Sequence, residues 1–200
     1  MYADLPILMS KHLIIRIPTV QDAQKLRDYY WQNRTHLAKW EPLRQQSFYS
    51  VPWWVNRIDQ MQDEFKEASA VGFVAFTKDD GKVVAIANFS NIIQGVFQSC
   101  NLGYSVDNQY QGQGIMSEFL TAVLDFIFEN LGLHRVMASY IPTNQRSGAL
   151  LERLGFEREG YARKYLKIAG EWQDHVLTSL LQEDWLSIAA KHQRETSQVL

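Results

Sequence analysis

Hydrophobic spacing divides the chain into short strand-like and longer helix-like segments joined by brief polar stretches. His12-Leu13-Ile14-Ile15-Arg16-Ile17-Pro18 has the alternation of a first strand. Thr19-Val20-Gln21-Asp22 is a capping-box pattern and opens a helix through about Arg34. A second helix starts near Pro52, with Trp54, Ile58, Met61 and Phe65 along one face. The period then shortens. Residues 70–76 and 83–89 read as strands, and Lys78-Asp79-Asp80-Gly81 between them suits a hairpin turn. Ser99 to Val106 extends this meander. From Ile115 to Asn130 the helical period returns, with Phe119, Leu120, Val123, Leu124 and Ile127 as its buried stripe and Gly132 as its stop. A strand over His134 to Tyr140 ends before Pro142. Asn144 then caps a helix from Gln145 to Leu154, closed by Gly155. Strands over 157–167 and 172–180 meet at Ala169-Gly170, and a last helix begins near Gln182, anchored by Trp185.

The resulting order is β-α-α-β-β-β-α-β-α-β-β-α. Runs of antiparallel strands followed by β-α units predict an α+β fold, a mixed and mostly antiparallel sheet flanked by helices. At 200 residues the chain can bury one substantial core, so 1–200 reads as a single domain with its core at about 12–186 and a polar, frayed tail at 191–200.

Composition excludes several classes. The net charge of −2 gives no global reason to expect binding to nucleic acid or an anionic membrane. No apolar run approaches the ~20 residues that span a bilayer, and Met1 to Pro6 lacks the features of a signal peptide. Cys100 is alone, which suits a reducing compartment, and a cytoplasmic location is expected. It reads either as an inert buried thiol or as a nucleophile that carries an acyl group. No metal site is expected.

The most informative chemistry lies in Gln109-Tyr110-Gln111-Gly112-Gln113-Gly114, between a strand and a helix N-terminus. Two glycines one residue apart let the backbone turn sharply and approach a ligand closely. The unpaired N–H groups of a helix start favour an anion there. The spacing is neither Gly-x-Gly-x-x-Gly nor the Walker phosphate loop, which argues against a nucleotide binder.

This run resembles the Gln/Arg-x-x-Gly-x-Gly/Ala pyrophosphate loop of the GCN5-related N-acetyltransferases, and the element order resembles that family's from Leu13 to Trp185. The resemblance implies acetyl-CoA as cosubstrate. It places backbone groups of Gln111, Gly112, Gln113, Gly114, Ile115 and Met116 on the pyrophosphate. It also sets the strand residues Leu102, Gly103, Tyr104, Ser105 and Val106 along the pantetheine arm by β-augmentation, with a backbone N–H available to polarise the thioester carbonyl. Asn144, an N-cap on its own reading, would touch the cofactor as well.

Acetyl transfer to an amine needs a neutral amine, donors for the oxyanion and a hydrogen bond or proton for the departing thiolate. The family's tyrosine acid would fall at Leu151, so that route is absent. The alternative is Ser147 in Asn144-Gln145-Arg146-Ser147, the catalytic candidate and otherwise an ordinary first-turn residue. Glu41, Glu171, Asp174 and His175 are candidates for the base, and none is assigned.

For the acceptor, Lys39-Trp40-Glu41-Pro42, Ala87-Asn88-Phe89-Ser90-Asn91, Leu102-Gly103-Tyr104-Ser105, Asn144-Gln145-Arg146-Ser147-Gly148, Leu154-Gly155-Phe156-Glu157 and Gly170-Glu171-Trp172-Gln173-Asp174-His175 resemble the bacterial branch that acetylates ribosomal proteins. That implies the N-terminal alanine of a small-subunit ribosomal protein as acceptor, with Glu41 on the substrate side. Tyr30, Trp31, Trp40, Phe48, Tyr49, Trp53 and Trp54 either pack two helices onto the sheet or hold a flexible peptide. A polyamine or other small-amine acetyltransferase, and a ribosome-binding assembly factor with little turnover, remain open alternatives.

Overall fold

Eight strands share one sheet in the computed structural model, which describes residues 5–188. They are β1 (Ile7–Met9), β2 (Leu13–Arg16), β3 (Val71–Thr77), β4 (Val83–Ile93), β5 (Ser99–Val106), β6 (Arg135–Tyr140), β7 (Glu157–Ile168) and β8 (Glu171–Leu181). Their spatial order is β1-β2-β3-β4-β5-β6-β8-β7. Every neighbouring pair is antiparallel except β5–β6. The helices are α1 (Ala23–Leu37), α2 (Val51–Lys66), α3 (Ile115–Asp125), α4 (Gln145–Arg153) and α5 (182–188). The expected α+β architecture is therefore present, while the tail at 191–200 lies outside the described residues.

The helices cover both faces. On one, Phe119, Leu120, Val123 and Leu124 of α3 and Leu150 and Leu151 of α4 join Phe73, Ala87, Phe89 and Leu102 of the sheet. On the other, Leu26 and Tyr30 of α1 and Trp54 and Ile58 of α2 cover Val74, Phe76 and Ile86. This is the consequence of strand alternation: residues 73 and 74 point to opposite faces, and both faces are apolar here. Full burial of one such large side chain contributes about 1.5–3 kcal/mol.

Three elements differ from the expectation. β1 has no counterpart among the expected strands, because its three residues are too few to show a pattern and Ile7 and Met9 face outward. The capping box at Thr19 is real, but it opens a single 3-10 turn, Val20–Asp22, before α1 proper. The helix after the glycine turn ends in a π-helical turn, Phe126–Asn130, within the span expected for it.

One feature of the sheet positions the site. β5 and β6 pair only from Ser99 to Leu102 and from Arg135 to Ala138. Beyond this, β5 stays paired to β4 out to Val106, and β6 stays paired to β8 out to Tyr140. The two parallel strands thus part company in mid-sheet. Gly103 to Val106 present one backbone edge to a slot rather than to a neighbouring strand.

Candidate active site

The glycine turn lies where the slot opens. Asp107 follows β5, and its side chain accepts the Gln109 N–H at 2.8 Å. Asn33 of α1, itself buried, accepts the Asn108 N–H at 2.9 Å. Gly112 and Gly114 have φ of 73° and 80°, left-handed values that a side chain would strain. The α3 ladder begins with Glu118 N–H on the Gly114 carbonyl at 3.0 Å, so the N–H groups of Ile115, Met116 and Ser117 precede it and have no helical acceptor. A Cβ added at either glycine would meet nothing within 4 Å. The turn is thus an open cradle at a positive helix end, and it fits a diphosphate.

Side chains around the turn are mostly donors. Lys82 lies 3.1 Å from Asp107 Oδ2 and 3.4 Å from the Gln109 side-chain oxygen Oε1. Gln111 spans two helices: its amide oxygen accepts from Arg146 of α4, and its amide nitrogen lies 2.8 Å from His36 Nε2 of α1. Burial first, and then Lys39 and Arg146, hold the His36 ring below its usual range. A neutral ring can therefore accept the Gln111 amide N–H.

Along the slot, Leu102 belongs to the core and Gly103 faces open space on the α1 side. Ser105 on that same face lies 2.9 Å from the Tyr29 hydroxyl, which pins α1 to β5. Tyr104 points to the opposite face and brings its hydroxyl to 2.7 Å from Ser147 Oγ. Val106 ends the strand beside the core.

Ser147 is placed by its own helix. Asn144 Oδ1 accepts the Ser147 N–H at 3.3 Å, so Asn144 is the N-cap expected. Gly148 lets this turn sit against the Tyr140 ring, where any Cβ would come within 2.8 Å of a ring carbon. Burial pushes the Tyr104 phenol up to about 12, with the Ser147 hydrogen bond opposing that shift. The phenol therefore keeps its proton and can donate to Ser147 Oγ, leaving the serine hydrogen free to point elsewhere. Leu151 is 1% exposed in the core, and its side chain has no proton to give.

The acceptor-side residues are brought together in part. The Glu41 carbonyl accepts the Ala169 N–H at 2.9 Å, and Leu43 fills the space a side chain at Gly170 would need. The early loop and the β7–β8 hairpin therefore meet. Burial raises the Glu41 carboxyl, while Arg44 at 3.1 Å lowers it. Glu171 is exposed at the turn. Asp174 accepts from the Tyr161 hydroxyl at 2.6 Å and the Lys164 N–H at 2.8 Å, bonds that shape the bulge in β7. His175 is buried and its Nδ1 lies 3.0 Å from the Gln173 carbonyl. Asp174 and His175 thus have structural partners. Cys100 is fully buried, and burial pushes its thiol up to about 12, which suits an inert side chain. The aromatic segment mostly packs: Tyr30 stacks on Trp54 at 4.9 Å and meets Phe48 edge-on.

Residues 12–157 match the acetyltransferase (GNAT) domain family. The chain belongs to that family. It is an acetyltransferase by this membership. It is 44% identical to the ribosomal protein uS5-alanine N-acetyltransferase of Escherichia coli (strain K12), over 89% of this chain and 92% of that one. A ribosomal-protein-S5-alanine acetyltransferase from Vibrio fischeri superposes with a TM-score of 0.86 at 39% identity, covering 90% of this chain and 98% of the other. Mycobacterium smegmatis RimJ, solved in complex with CoA-disulfide, gives a TM-score of 0.81 at 28% identity, over 90% and 87% of the two chains.

Several parts of this GNAT site carry no signal in the sequence. Asn33 and His36 lie on α1, more than 70 residues before the turn they brace. The Tyr104–Ser147 pair spans 43 residues. Only strand parity hinted at it, since Tyr104 shares a face with Leu102 and Val106.

Proposed function

We propose that this acetyltransferase uses acetyl-CoA to acetylate the N-terminal alanine of a small-subunit ribosomal protein in the cytoplasm. The likeness that carries the acceptor reading is the 44% identity to the Escherichia coli enzyme over 89% of the chain, which spans the acceptor-side loop as well as the cofactor core.

The open glycine turn and the free β5 edge support the cofactor side of this reading. Backbone N–H groups from Gln111 to Met116 hold the diphosphate, and the free edge from Leu102 to Val106 receives the pantetheine arm. Asn144, next to the end of β6, flanks the same arm. Acetyl-CoA bound there supplies the activated acetyl thioester. A backbone N–H of the free β5 edge polarises the thioester carbonyl; such a donor typically stabilises a transition state by ~2.7–4 kcal/mol.

Ser147 donates its hydroxyl hydrogen toward the departing sulfur. Tyr104, protonated and hydrogen-bonded to Ser147 Oγ, positions that donor. An α-amino group has a pKa near 7.7–8.0, so a good fraction is neutral without a dedicated base. Glu41, at the junction of the early loop and the β7–β8 hairpin, attracts the amine.

Thiol release tests the reading. With acetyl-CoA and a peptide that begins with alanine, release accelerates well above the rate seen with spermidine. Faster release with spermidine overturns the acceptor assignment, and no release with either overturns the catalytic reading.

A further inference from the structure

Helix α1 reaches the glycine turn at two points. Asn33 and His36 are three residues apart and so share a face of α1. Asn33 is buried, donates its amide to the Tyr29 carbonyl at 2.9 Å, and accepts the Asn108 N–H at 2.9 Å. His36 Nε2 lies 2.8 Å from Gln111 Nε2. Residues 108 and 111 bracket the single 3-10 turn, Asn108–Tyr110, that leads into Gly112. The approach to the cradle is therefore mounted on α1, which packs on the opposite face of the sheet from α3.

The direction of each bond follows from the donors present. A guanidinium has no acceptor, so the Gln111 amide must present its oxygen to Arg146 and its nitrogen to His36. The ring must then accept at Nε2, which only a neutral histidine does. Burial, Lys39 and Arg146 all disfavour the charged ring, with Asp107 opposing them. Arg146, Gln111 and His36 thus form one polar chain. It joins α4, which follows β6, to α1 on the other face, through the residue just before the two glycines.

That position gives the chain its consequence. Nothing in the protein packs where a side chain at Gly112 or Gly114 would lie. Glycine also loses more backbone freedom on ordering than any other residue. A turn already held at Gln111 has less freedom left to lose when a diphosphate arrives, and preorganisation of this kind raises affinity without a new contact to the ligand.

We infer that His36 is a positioning residue for the cofactor: through the Gln111 amide it holds the glycine turn in its anion-binding shape before acetyl-CoA arrives. The inference rests on the proposed reading of that turn as the diphosphate cradle.

The test measures acetyl-CoA affinity of the full chain by titration calorimetry, and turnover by thiol release with a peptide that begins with alanine. His36→Leu removes the acceptor and should weaken acetyl-CoA binding by about fivefold, within the range of one neutral hydrogen bond, while kcat at saturating acetyl-CoA stays within about twofold of wild type. His36→Gln offers an amide oxygen close to the place of Nε2 and should restore the affinity to within about twofold. Gln111→Leu should weaken binding at least as much as His36→Leu, and the double variant should add little to it, because both substitutions break one chain. Unchanged or tighter binding in His36→Leu overturns the inference. So does a kcat that falls while affinity holds, a Gln variant no better than the Leu variant, or two losses that add in the double variant. Each of these leaves the cradle standing provided that Gly112→Val weakens acetyl-CoA binding. Wild-type affinity in Gly112→Val overturns both readings.

Discussion

Two hydroxyl groups 2.7 Å apart organise the proposed chemistry, and their roles differ because their surroundings differ. Tyr104 is held up to about 12 by burial, so it stays a donor throughout the working range of pH. Ser147 sits in the first turn of α4, where its N–H is tied to Asn144 and its Oγ is tied to Tyr104. Ser147→Ala should lower kcat by roughly 10²-fold and leave the KM for acetyl-CoA within about twofold, as expected when only a transition-state donor is lost. Tyr104→Phe should lower kcat by about tenfold through loss of the positioning bond, with little further loss in the double variant. Steady-state kinetics of the three proteins checks this, and unchanged turnover in Ser147→Ala removes the serine from the mechanism. Ser147 stands out as a candidate from the Asn-x-x-Ser run and from the leucine at 151. Its tyrosine partner does not, because a contact across 43 residues leaves no local periodicity.

At the scale of elements, the parting of β5 from β6 does the positioning. The strands pair for four residues and then separate, and the glycine turn follows immediately at the start of α3. Gly112→Val tests the cradle. The added side chain meets nothing in the protein, so the fold survives with a left-handed residue that costs about 1–2 kcal/mol. The same side chain occupies the space proposed for the diphosphate, so the KM for acetyl-CoA should rise by tenfold or more with a smaller change in kcat. Wild-type kinetics in this variant would remove the cradle from the account. The turn itself was legible, since the Gly-x-Gly spacing before a helical period is a local signal. The slot was not, because strand separation depends on which strands neighbour one another. Braces from α1, namely Asn33 and His36, escaped for the same reason. β1 escaped because three residues with two exposed side chains carry no pattern.

For the molecule as a whole, the end of β2 is tied to the start of α1 at Asp22. Its carboxylate is buried and accepts from Arg16 at 2.6 and 2.8 Å and from the Thr19 N–H at 2.8 Å. Burial alone would raise its pKa, yet the Arg16 and Thr19 bonds outweigh it, and the net shift is downward. A depressed folded value means that the contribution is present above the unfolded value of about 3.9 and is lost as pH falls through the folded one. Asp22→Asn should therefore cost about 1.5–3 kcal/mol near neutral pH, and the difference from wild type should shrink below about pH 4. Urea titrations at the two pH values read this directly, and a gap that widens in acid would contradict it. The capping pattern at Thr19 made this junction visible in the sequence, whereas the Arg16 partner became visible only with the fold. The choice of acceptor remains the central claim at this scale. It is tested most directly by intact-mass analysis of unacetylated small-subunit ribosomal proteins incubated with this chain and acetyl-CoA. One of them should gain a single acetyl group, on the nitrogen of its N-terminal alanine. Acetylation confined to lysine side chains, or none on any ribosomal protein while spermidine is acetylated, would contradict it.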